Sequence, residues 1–331
     1  MKVLMFSSDP RLREKGSEVS ERMKKYAAAF GELKIILLDR ARGRFLRFFK
    51  GYFNARRLLS KEKYDVITAQ EIEHSFLAWL LSRKFGVPWQ MQIHTDIFSP
   101  YFIKHSVFNF FRVLLAKFLV PRANCVRVVS RRIKKSINRP DAVVLPIFAE
   151  RKGNGGINIK EKYPGYDFYI LMVSRLTKEK NIPLALETIR ELSKKYPKIL
   201  LVIVGDGPER ETLQPSTNVK LEGAGWSKDI AGYYQSADCF MLTSNYEGYG
   251  LVIIEAMQYG LPVVMTDVGV AGEIVKDGVN GLIVPVGDKN ALVQALEKMY
   301  KNPLKVGPLK TQTEEEYLKL YIESLKKCLA G

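Results

Sequence analysis

Twelve short apolar runs alternating with stretches of helical spacing limit the folds open to this chain more than any other feature. The runs are continuous in Val, Ile and Leu, which is typical of parallel strands that are buried on both faces. Their alternation with helices predicts an α/β fold with two doubly wound, Rossmann-like domains. The predicted strands are Lys2–Phe6, Leu33–Leu38, Tyr64–Thr68, Pro88–His94, Cys125–Ser130, Ala142–Pro146, Phe168–Ser174, Ile199–Val204, Val219–Glu222, Asp238–Thr243, Pro262–Thr266 and Gly281–Pro285.

A polar, glycine-rich segment at Ala149–Gly165 marks the junction between the two predicted domains. With 331 residues, the chain is long enough for each half to bury a core of its own. We expect a first domain at residues 1–150, a second at residues 151–305, and a connector with a C-terminal helix at residues 306–331.

The three cysteines are Cys125, Cys239 and Cys328, an odd number at wide spacing. Two of them fall in predicted strands, so we expect buried free thiols in a reducing cytosol. The N-terminus runs directly into a strand, which indicates no signal peptide. No apolar run approaches the roughly 18–20 residues that cross a bilayer. We therefore expect a cytoplasmic protein, either soluble or peripheral on the inner face of the cell membrane.

The stretch Asn245–Gly260 has the pattern of a ligand-binding turn. Gly248 and Gly250 lie between a predicted strand and a helix predicted over Leu251–Gln258. Without a Cβ atom, these glycines let backbone N–H groups approach a ligand closely. The N-terminus of the following helix adds partial positive charge, which suits a phosphate.

Two glutamates, Glu247 and Glu255, lie on either side of this turn. A carboxylate beside a phosphate is poorly explained as an anion ligand but well explained as an acceptor for sugar hydroxyls. The turn therefore favours a nucleotide-sugar site over the alternative of two solvated carboxylates on a helix surface.

Other polar or glycine-rich loops follow further predicted strands, at the edge where parallel sheets bind ligands. They are Ser7–Gly16, with Ser17 as a helix N-cap, His94–Asp96, Ser174–Asn181, Gly205–Pro208 and Asp267–Glu273.

Taken in order, these motifs resemble those of retaining nucleotide-sugar glycosyltransferases of the GT-B fold, family four. The likeness is strong over residues 168–290 and weaker in the first half. This chain has Gly16-Ser17 and Gly269-Val270 where the family often has paired glycines. The resemblance implies two domains that face each other across a cleft, with the C-terminal helix returning to the first. It is carried by Val173–Leu176 with Lys180, Val204–Pro208, Glu247 and Glu255 with seven residues between them, and Gly278, Gly281, Leu282 and Val284.

The resemblance also implies a role for each candidate residue. Arg175 and Lys180 would bind the donor diphosphate and stabilise the charge that develops as it leaves. Glu247 would face the donor sugar, and Glu255 would hold the ribose hydroxyls. The remaining contacts to the donor would come from Gly16, Gly205, Gly207, Trp226, Gly248, Tyr249, Gly250 and Leu251, although Trp226 equally fits a core position.

His94 follows the fourth predicted strand, where the family has a histidine near the sugar, with a structural histidine as the alternative. Asp96 is a second candidate for contact with the acceptor. In retaining enzymes of this fold the leaving phosphate is thought to assist the incoming hydroxyl, so we assign no separate base. No Asp-x-Asp motif is present, and we expect no metal and no cofactor beyond the UDP- or GDP-sugar donor.

Positive charge is concentrated in the first half: residues 1–150 hold 29 Lys and Arg against 13 Asp and Glu, and residues 151–331 hold 23 against 22. Within it, Arg40–Arg57 contains seven cations and no acid. Basic amphipathic helices with aromatic residues commonly lie in a membrane interface. With the apolar and basic stretch Tyr101–Arg122, this pattern favours an anionic membrane surface and a saccharide or lipid-linked acceptor. The alternative is an aromatic face packed on the sheet; its residues are Phe45, Phe48, Phe49, Tyr52 and Phe53.

Other function classes have less support. The same fold would serve a nucleotide-sugar epimerase, or a phosphorylase, although nothing marks a site for free phosphate. A non-catalytic basic module with a vestigial donor site would bind a membrane or a nucleic acid. The basic half has no known nucleic-acid motif, so we expect no nucleic-acid partner. No Gly-x-Gly-x-x-Gly follows the first strand, which argues against a dinucleotide oxidoreductase.

Overall fold

The computed structural model describes residues 1–38, 46–151, 153–223 and 229–329. The chain forms two compact units: Met1–Pro146 combines with Gln312–Gly331, and Ile147–Thr311 forms the other. In the described residues each unit contains one six-stranded sheet, and all strand pairings in both sheets are parallel. This confirms the predicted α/β class.

The first unit has a central sheet in the order β2-β1-β3-β4-β5-β6. Its strands are β1 Lys2–Ser7, β2 Glu32–Leu37, β3 Val66–Ala69, β4 Trp89–Ile93, β5 Cys125–Val128 and β6 Val143–Val144. Its helices are α1 Glu18–Phe30, α2 Leu46–Leu59, α3 Ile72–Phe85, α4 Pro100–His105, α5 Val107–Leu119 and α6 Arg131–Ser136. Ser17 caps α1 as predicted, because its side chain accepts a hydrogen bond from the Ser20 N–H at 3.1 Å.

The second unit has a sheet in the order β12-β11-β10-β7-β8-β9. Its strands are β7 Phe168–Val173, β8 Ile199–Gly205, β9 Val219–Gly223, β10 Cys239–Leu242, β11 Val263–Thr266 and β12 Gly281–Val284. Its helices are α7 Ile159–Lys162, α8 Ile182–Lys195, α9 Ile230–Ser236, α10 Leu251–Gln258 and α11 Lys289–Lys301. The strand order changes direction between β7 and β10, which is where doubly wound sheets open a crevice for a ligand.

A last helix, α12 Glu314–Lys326, packs in the first unit. It begins with a capping box between Thr313 and Glu316. Gln92 in β4 donates to the Tyr321 hydroxyl at 2.7 Å, and Arg127 in β5 donates to the Tyr317 hydroxyl at 2.8 Å. These polar side chains are buried, so their hydrogen bonds fix the position of α12 on the sheet.

Cys125 and Cys328 form a disulfide between β5 and the residues after α12, with 5.0 Å between their Cα atoms. The prediction that both are free thiols was therefore wrong. The reason is topological: the helix returns to the first sheet and brings together two residues that are 203 positions apart. Cys239 is free and buried in β10, as expected.

Candidate functional site

The loops after β7 and β10 meet at the point where the strand order of the second sheet reverses. Asn245 donates its backbone N–H to the Glu179 carbonyl at 2.8 Å. The Thr243 hydroxyl donates to the Lys180 carbonyl at 2.9 Å, and the Asn181 amide donates to the Asn245 side chain at 3.1 Å. The two loops are therefore one hydrogen-bonded layer at the carboxyl end of the sheet.

Lys180 and Glu247 form an ion pair within this layer. Their side chains are only 15% and 13% exposed. The Ser244 hydroxyl donates to the same Glu247 oxygen at 2.8 Å. Two residues that the sequence assigned to different parts of a donor are thus direct partners. Removing one member of a buried ion pair leaves the other charge without a partner, which is costly. The pair therefore keeps both side chains in place.

Arg175 lies in the same loop but is held much more loosely. Its side chain is 65% exposed, and its guanidinium is 3.4 Å from Glu179. An exposed pair at this distance contributes little to stability. The guanidinium is therefore available to an anion at low cost.

The loop after β8 packs so closely on the loop after β7 that glycine is required. A Cβ on Gly205 would lie 1.8 Å from the Ser174 carbonyl oxygen, and one on Gly207 would lie 2.4 Å from the Leu176 oxygen. The Leu176 N–H also donates to the Asp206 carbonyl at 2.8 Å. Both glycines, which the resemblance assigned to contacts with the donor, thus position the loop that carries Arg175.

The turn Gly248–Leu251 has the predicted form. Gly250 adopts a left-handed conformation, with φ of +86°, and α10 begins at Leu251. The Tyr249 carbonyl accepts the Val270 N–H at 3.1 Å, and a Cβ on Gly269 would lie 2.5 Å from that carbonyl oxygen. The loop after β11 thus packs against the turn and holds the Tyr249 carbonyl in place.

Glu255 lies in α10 and accepts a hydrogen bond from the Tyr234 hydroxyl at 2.9 Å. Burial and then the charge of Glu255 raise the pKa of Tyr234 well above its ordinary value, so the hydroxyl stays a donor. Tyr234 also stacks on Tyr259, with ring centroids 5.6 Å apart. The sequence missed Tyr234, because nothing in α9 sets it apart from a core aromatic residue. Ser244 and Asn181 were also missed, although Ser244 lies three positions before Glu247.

The predicted residues of the first unit lie in the segments that follow β1 and β4, at the carboxyl ends of these parallel strands. Gly16 lies in the loop before α1 with φ of +81°. His94 directly follows β4, and no described residue forms a hydrogen bond with its buried Nε2. Asp96 is 9% exposed and accepts a hydrogen bond from the Ser136 hydroxyl at 3.1 Å. Trp226 lies outside the described residues.

We expect His94 to make stability depend on pH. Burial, followed by the charges of Arg127 and Arg22, lowers the pKa of His94 to about 3. In the unfolded chain a histidine titrates near pH 6.5, so the unfolded state binds more protons between these values and stability falls as the pH falls. Lowering the pH from about 7 to about 5 should cost about 2 kcal/mol through this residue. Urea unfolding of the native protein and of His94→Gln checks this, because the variant should lose that part of the slope. Equal slopes would contradict it.

Helix α2 does not match the alternative of an aromatic face packed on the sheet. Its buried residues are Gly51, Ala55 and Leu59, while Phe49 and Phe53 are 63% and 56% exposed. A Cβ on Gly51 would lie 2.1 Å from the Leu38 side chain, so glycine lets the helix approach the sheet here. The aromatic residues therefore do not form one packed face. The part of the predicted segment that includes Arg40, Arg42, Arg44 and Phe45 lies outside the described residues.

Two properties of the described ranges bear on the partners of the protein. No helix there is long and apolar enough to cross a bilayer. No group of three or more His, Cys, Asp or Glu side chains there is arranged to hold a metal ion.

Two protein-family models match the chain. The model for group 1 glycosyl transferases matches residues 157–317, and the model for a glycosyl transferase 4-like domain matches residues 26–143. Together they cover the second sheet, most of the first sheet without β1, and the layer that contains Lys180 and Glu247.

Individual proteins are also similar. A UDP-Gal:alpha-D-GlcNAc-diphosphoundecaprenol alpha-1,3-galactosyltransferase of Escherichia coli is 27% identical over 277 residues, 77% of this chain and 71% of that protein. An alpha-monoglucosyldiacylglycerol synthase of Acholeplasma laidlawii is 32% identical over 155 residues, 45% of this chain and 38% of that protein. The chain therefore spans well under half of the second relative.

Solved structures show the same fold. Sucrose-phosphate synthase from Thermosynechococcus elongatus has a TM-score of 0.74 at 19% identity, over 99% of this chain and 95% of that one. Anabaena HepE in complex with UDP-glucose has a TM-score of 0.67 at 20% identity, over 100% of this chain and 94% of that one.

Proposed function

Because the chain belongs to the group 1 glycosyltransferases of the GT-B fold, we propose that it transfers a hexose with retention of configuration. The donor is a nucleoside diphosphate sugar, and the acceptor is a hydroxyl of a saccharide or lipid-linked saccharide. The observation that carries this proposal is the contact between Lys180 and Glu247 at the switch point of the second sheet. The Lys180 ammonium can bind a phosphate, and the Glu247 carboxylate can accept hydrogen bonds from sugar hydroxyls. Because the two groups are in contact, they suit a ligand in which a diphosphate is joined directly to a sugar.

The reaction needs little from the protein beyond position and charge. Arg175 and Lys180 bind the diphosphate and offset the charge that grows on it as the glycosidic bond breaks. Glu247 accepts hydrogen bonds from the sugar, and Glu255, fixed by Tyr234, accepts them from the ribose. With two cations for the diphosphate, the transfer proceeds without a metal ion.

His94 contributes as a neutral imidazole. Its lowered pKa keeps it uncharged at neutral pH, and the buried Nε2 is left to hydrogen-bond a sugar hydroxyl. A neutral imidazole in this role can hydrogen-bond a hydroxyl without the cost of a buried charge.

The donor we favour is a UDP-sugar, with a GDP-sugar as the second choice. The name of the E. coli relative specifies UDP-Gal, and HepE was solved with UDP-glucose. The name of the E. coli relative specifies an acceptor linked to diphosphoundecaprenol, and the name of the A. laidlawii relative specifies a glucosylated diacylglycerol as its product. These support a lipid-linked acceptor and a role in cell-envelope glycan or glycolipid assembly.

The site of action we propose is the surface of an anionic membrane, reached through α2. This helix has no acid and exposes Phe49 and Phe53 beside Lys50, Arg56 and Arg57. Each cation near an anionic leaflet contributes about 1 kcal/mol, so several dock the first unit reversibly.

We expect a panel of UDP- and GDP-sugars to show one preferred nucleotide, read by thermal shift and by hydrolysis of the donor.

The product of transfer should keep the anomeric configuration of the donor, which coupling constants in NMR spectra reveal. Added EDTA should leave the rate unchanged. An inverted product would contradict retention, and isomerisation of the donor without an acceptor would indicate an epimerase.

A further inference from the structure

Helix α5 of the first unit presents an apolar face that the core does not use. Its buried residues include Val113, Ala116 and Leu119, as in any amphipathic helix. The opposite face is also apolar, although a helix that is apolar all round is ordinarily buried on all sides. A contiguous exposed patch of this kind marks an interaction surface. Its residues, with their exposed fractions, are Val107 76%, Phe108 59%, Phe110 49%, Phe111 60%, Leu114 48% and Phe118 36%.

A groove of about 420 Å³ lies along the flank of the same helix. Val113 and Lys117 line it from α5, Ile103 lines it from α4, and Ser136 lines it from α6. Lys117 is three positions from Leu114 on the helix, so the groove opens beside the exposed apolar face. The volume is in the range of pockets that bind small ligands.

Most charges near this surface are positive, although Arg112 of α5 pairs with Glu73 of α3 at 2.9 Å and the buried Asp96 accepts a hydrogen bond from Ser136. Residues 97–140, which include α4, α5 and α6, contain ten Lys and Arg and no Asp or Glu. The Arg122 guanidinium lies 3.9 Å from the ring centroid of Phe118, so one of these cations directly borders the apolar face. An excess of positive charge around an apolar patch complements an anionic lipid leaflet.

We propose that the exposed face of α5 and the adjoining groove form a lipid-binding site. The aromatic side chains enter the interface of an anionic leaflet, and the groove holds one hydrocarbon chain of a lipid that carries a phosphate. The choice of this occupant rests on the proposed function, because an acceptor with a lipid chain has to be reached at the membrane surface. The site differs from α2, whose cations attract the leaflet but hold no chain.

Vesicle flotation tests the exposed face. The full-length protein should bind vesicles of phosphatidylcholine mixed with phosphatidylglycerol, and part of that binding should survive high salt because it is hydrophobic. Phe108→Ser combined with Phe111→Ser should lower the salt-resistant binding at least about tenfold, since two large apolar side chains no longer leave water. Val279→Ser combined with Leu320→Ser removes exposed apolar side chains elsewhere and should bind like the native protein. A triple variant of α2 tests the electrostatic part of the binding. It should lose only the salt-sensitive binding and carries Lys50→Gln, Arg56→Gln and Arg57→Gln.

Trp79 offers a native reporter of insertion. Its ring packs edge-on against Phe118, with centroids 5.0 Å apart. Vesicles with brominated acyl chains should quench part of the tryptophan fluorescence of the native protein. That part should be absent from Trp79→Phe and from the Phe108→Ser, Phe111→Ser variant.

Alkyl phosphates below their micelle concentration test the groove. Dodecyl phosphate should bind at least about tenfold more tightly than butyl phosphate in calorimetry, because only the longer chain fills the apolar lining. Ser136→Trp, which fills the groove from an exposed position, should abolish this preference. Equal affinity for the two phosphates, or an unchanged preference in Ser136→Trp, overturns the groove assignment.

The vesicle, fluorescence and alkyl phosphate measurements need no donor sugar, so their outcome does not depend on the proposed function. Donor hydrolysis by each variant should match that of the native protein. If the α5 variant floats with vesicles as well as its control, the lipid proposal is wrong, and the apolar face belongs to a protein partner instead.

Discussion

Replacing Arg175 and Lys180 together with alanine should lower kcat about a thousandfold or more, because each cation stabilises charge on the departing diphosphate. Loss of one such group typically costs about a hundredfold to a thousandfold. The loss should be larger in kcat than in the affinity for the donor, since the charge is greatest in the transition state. Steady-state kinetics with the donor identified by the nucleotide panel measures both terms.

The matched control for this variant is Arg190→Ala combined with Lys194→Ala, which removes one exposed arginine and one exposed lysine from α8. We expect it to keep the native rate. Because Lys180→Ala leaves Glu247 without its cation, a second variant adds Glu247→Gln to relieve the buried charge. If the double alanine variant keeps its kcat within about tenfold of the native value while both controls fold, the assignment of the two cations is wrong.

Replacing Gly205 with alanine should destabilise the second unit by about 3 kcal/mol or more, the upper range for forcing atoms into a packed site. The new Cβ would lie 1.8 Å from the Ser174 carbonyl oxygen, and neither backbone can yield without moving a strand end. Because this contact fixes the loop of Arg175, activity should fall at temperatures where the variant is still folded. Thermal unfolding and kinetics below the transition measure the two effects.

Gly278→Ala provides the comparison. Gly278 has φ of +73°, and a Cβ there would meet no atom within 4 Å. We expect a cost of about 1–2 kcal/mol from the left-handed backbone alone and no change in activity. Equal unfolding temperatures for the two variants would show that close packing at Gly205 has little energetic effect.

The strands were predictable because their burial on both faces is recorded in sequence as unbroken apolar runs. All twelve predicted strands occur, with ends that shift by one or two residues. The helix Leu251–Gln258 was also found at its predicted bounds, since Gly250 and Gly260 mark its ends. Local chemistry decides features of this kind, so local sequence is enough to predict them.

Features that depend on strand order were harder to predict. Lys180 and Glu247 were both placed in the site, but their pairing follows from β7 lying beside β10, which are not consecutive in the chain. The disulfide of Cys125 likewise depends on where α12 packs. In α2 the aromatic residues form a stripe in sequence, yet the small side chains of Gly51 and Ala55 decide which face approaches the sheet. Contacts over long sequence distances account for each difference.

The return of α12 to the first unit also has a consequence for biosynthesis. Residues 147–311 are complete before α12 leaves the ribosome, so the second unit has all of its strands while the first still lacks a helix. Until then Gln92 and Arg127 have no tyrosine hydroxyls to bind, and the sheet beneath them is open to water. The second unit therefore leaves the ribosome in full before the first unit does, although most of the first is synthesised earlier.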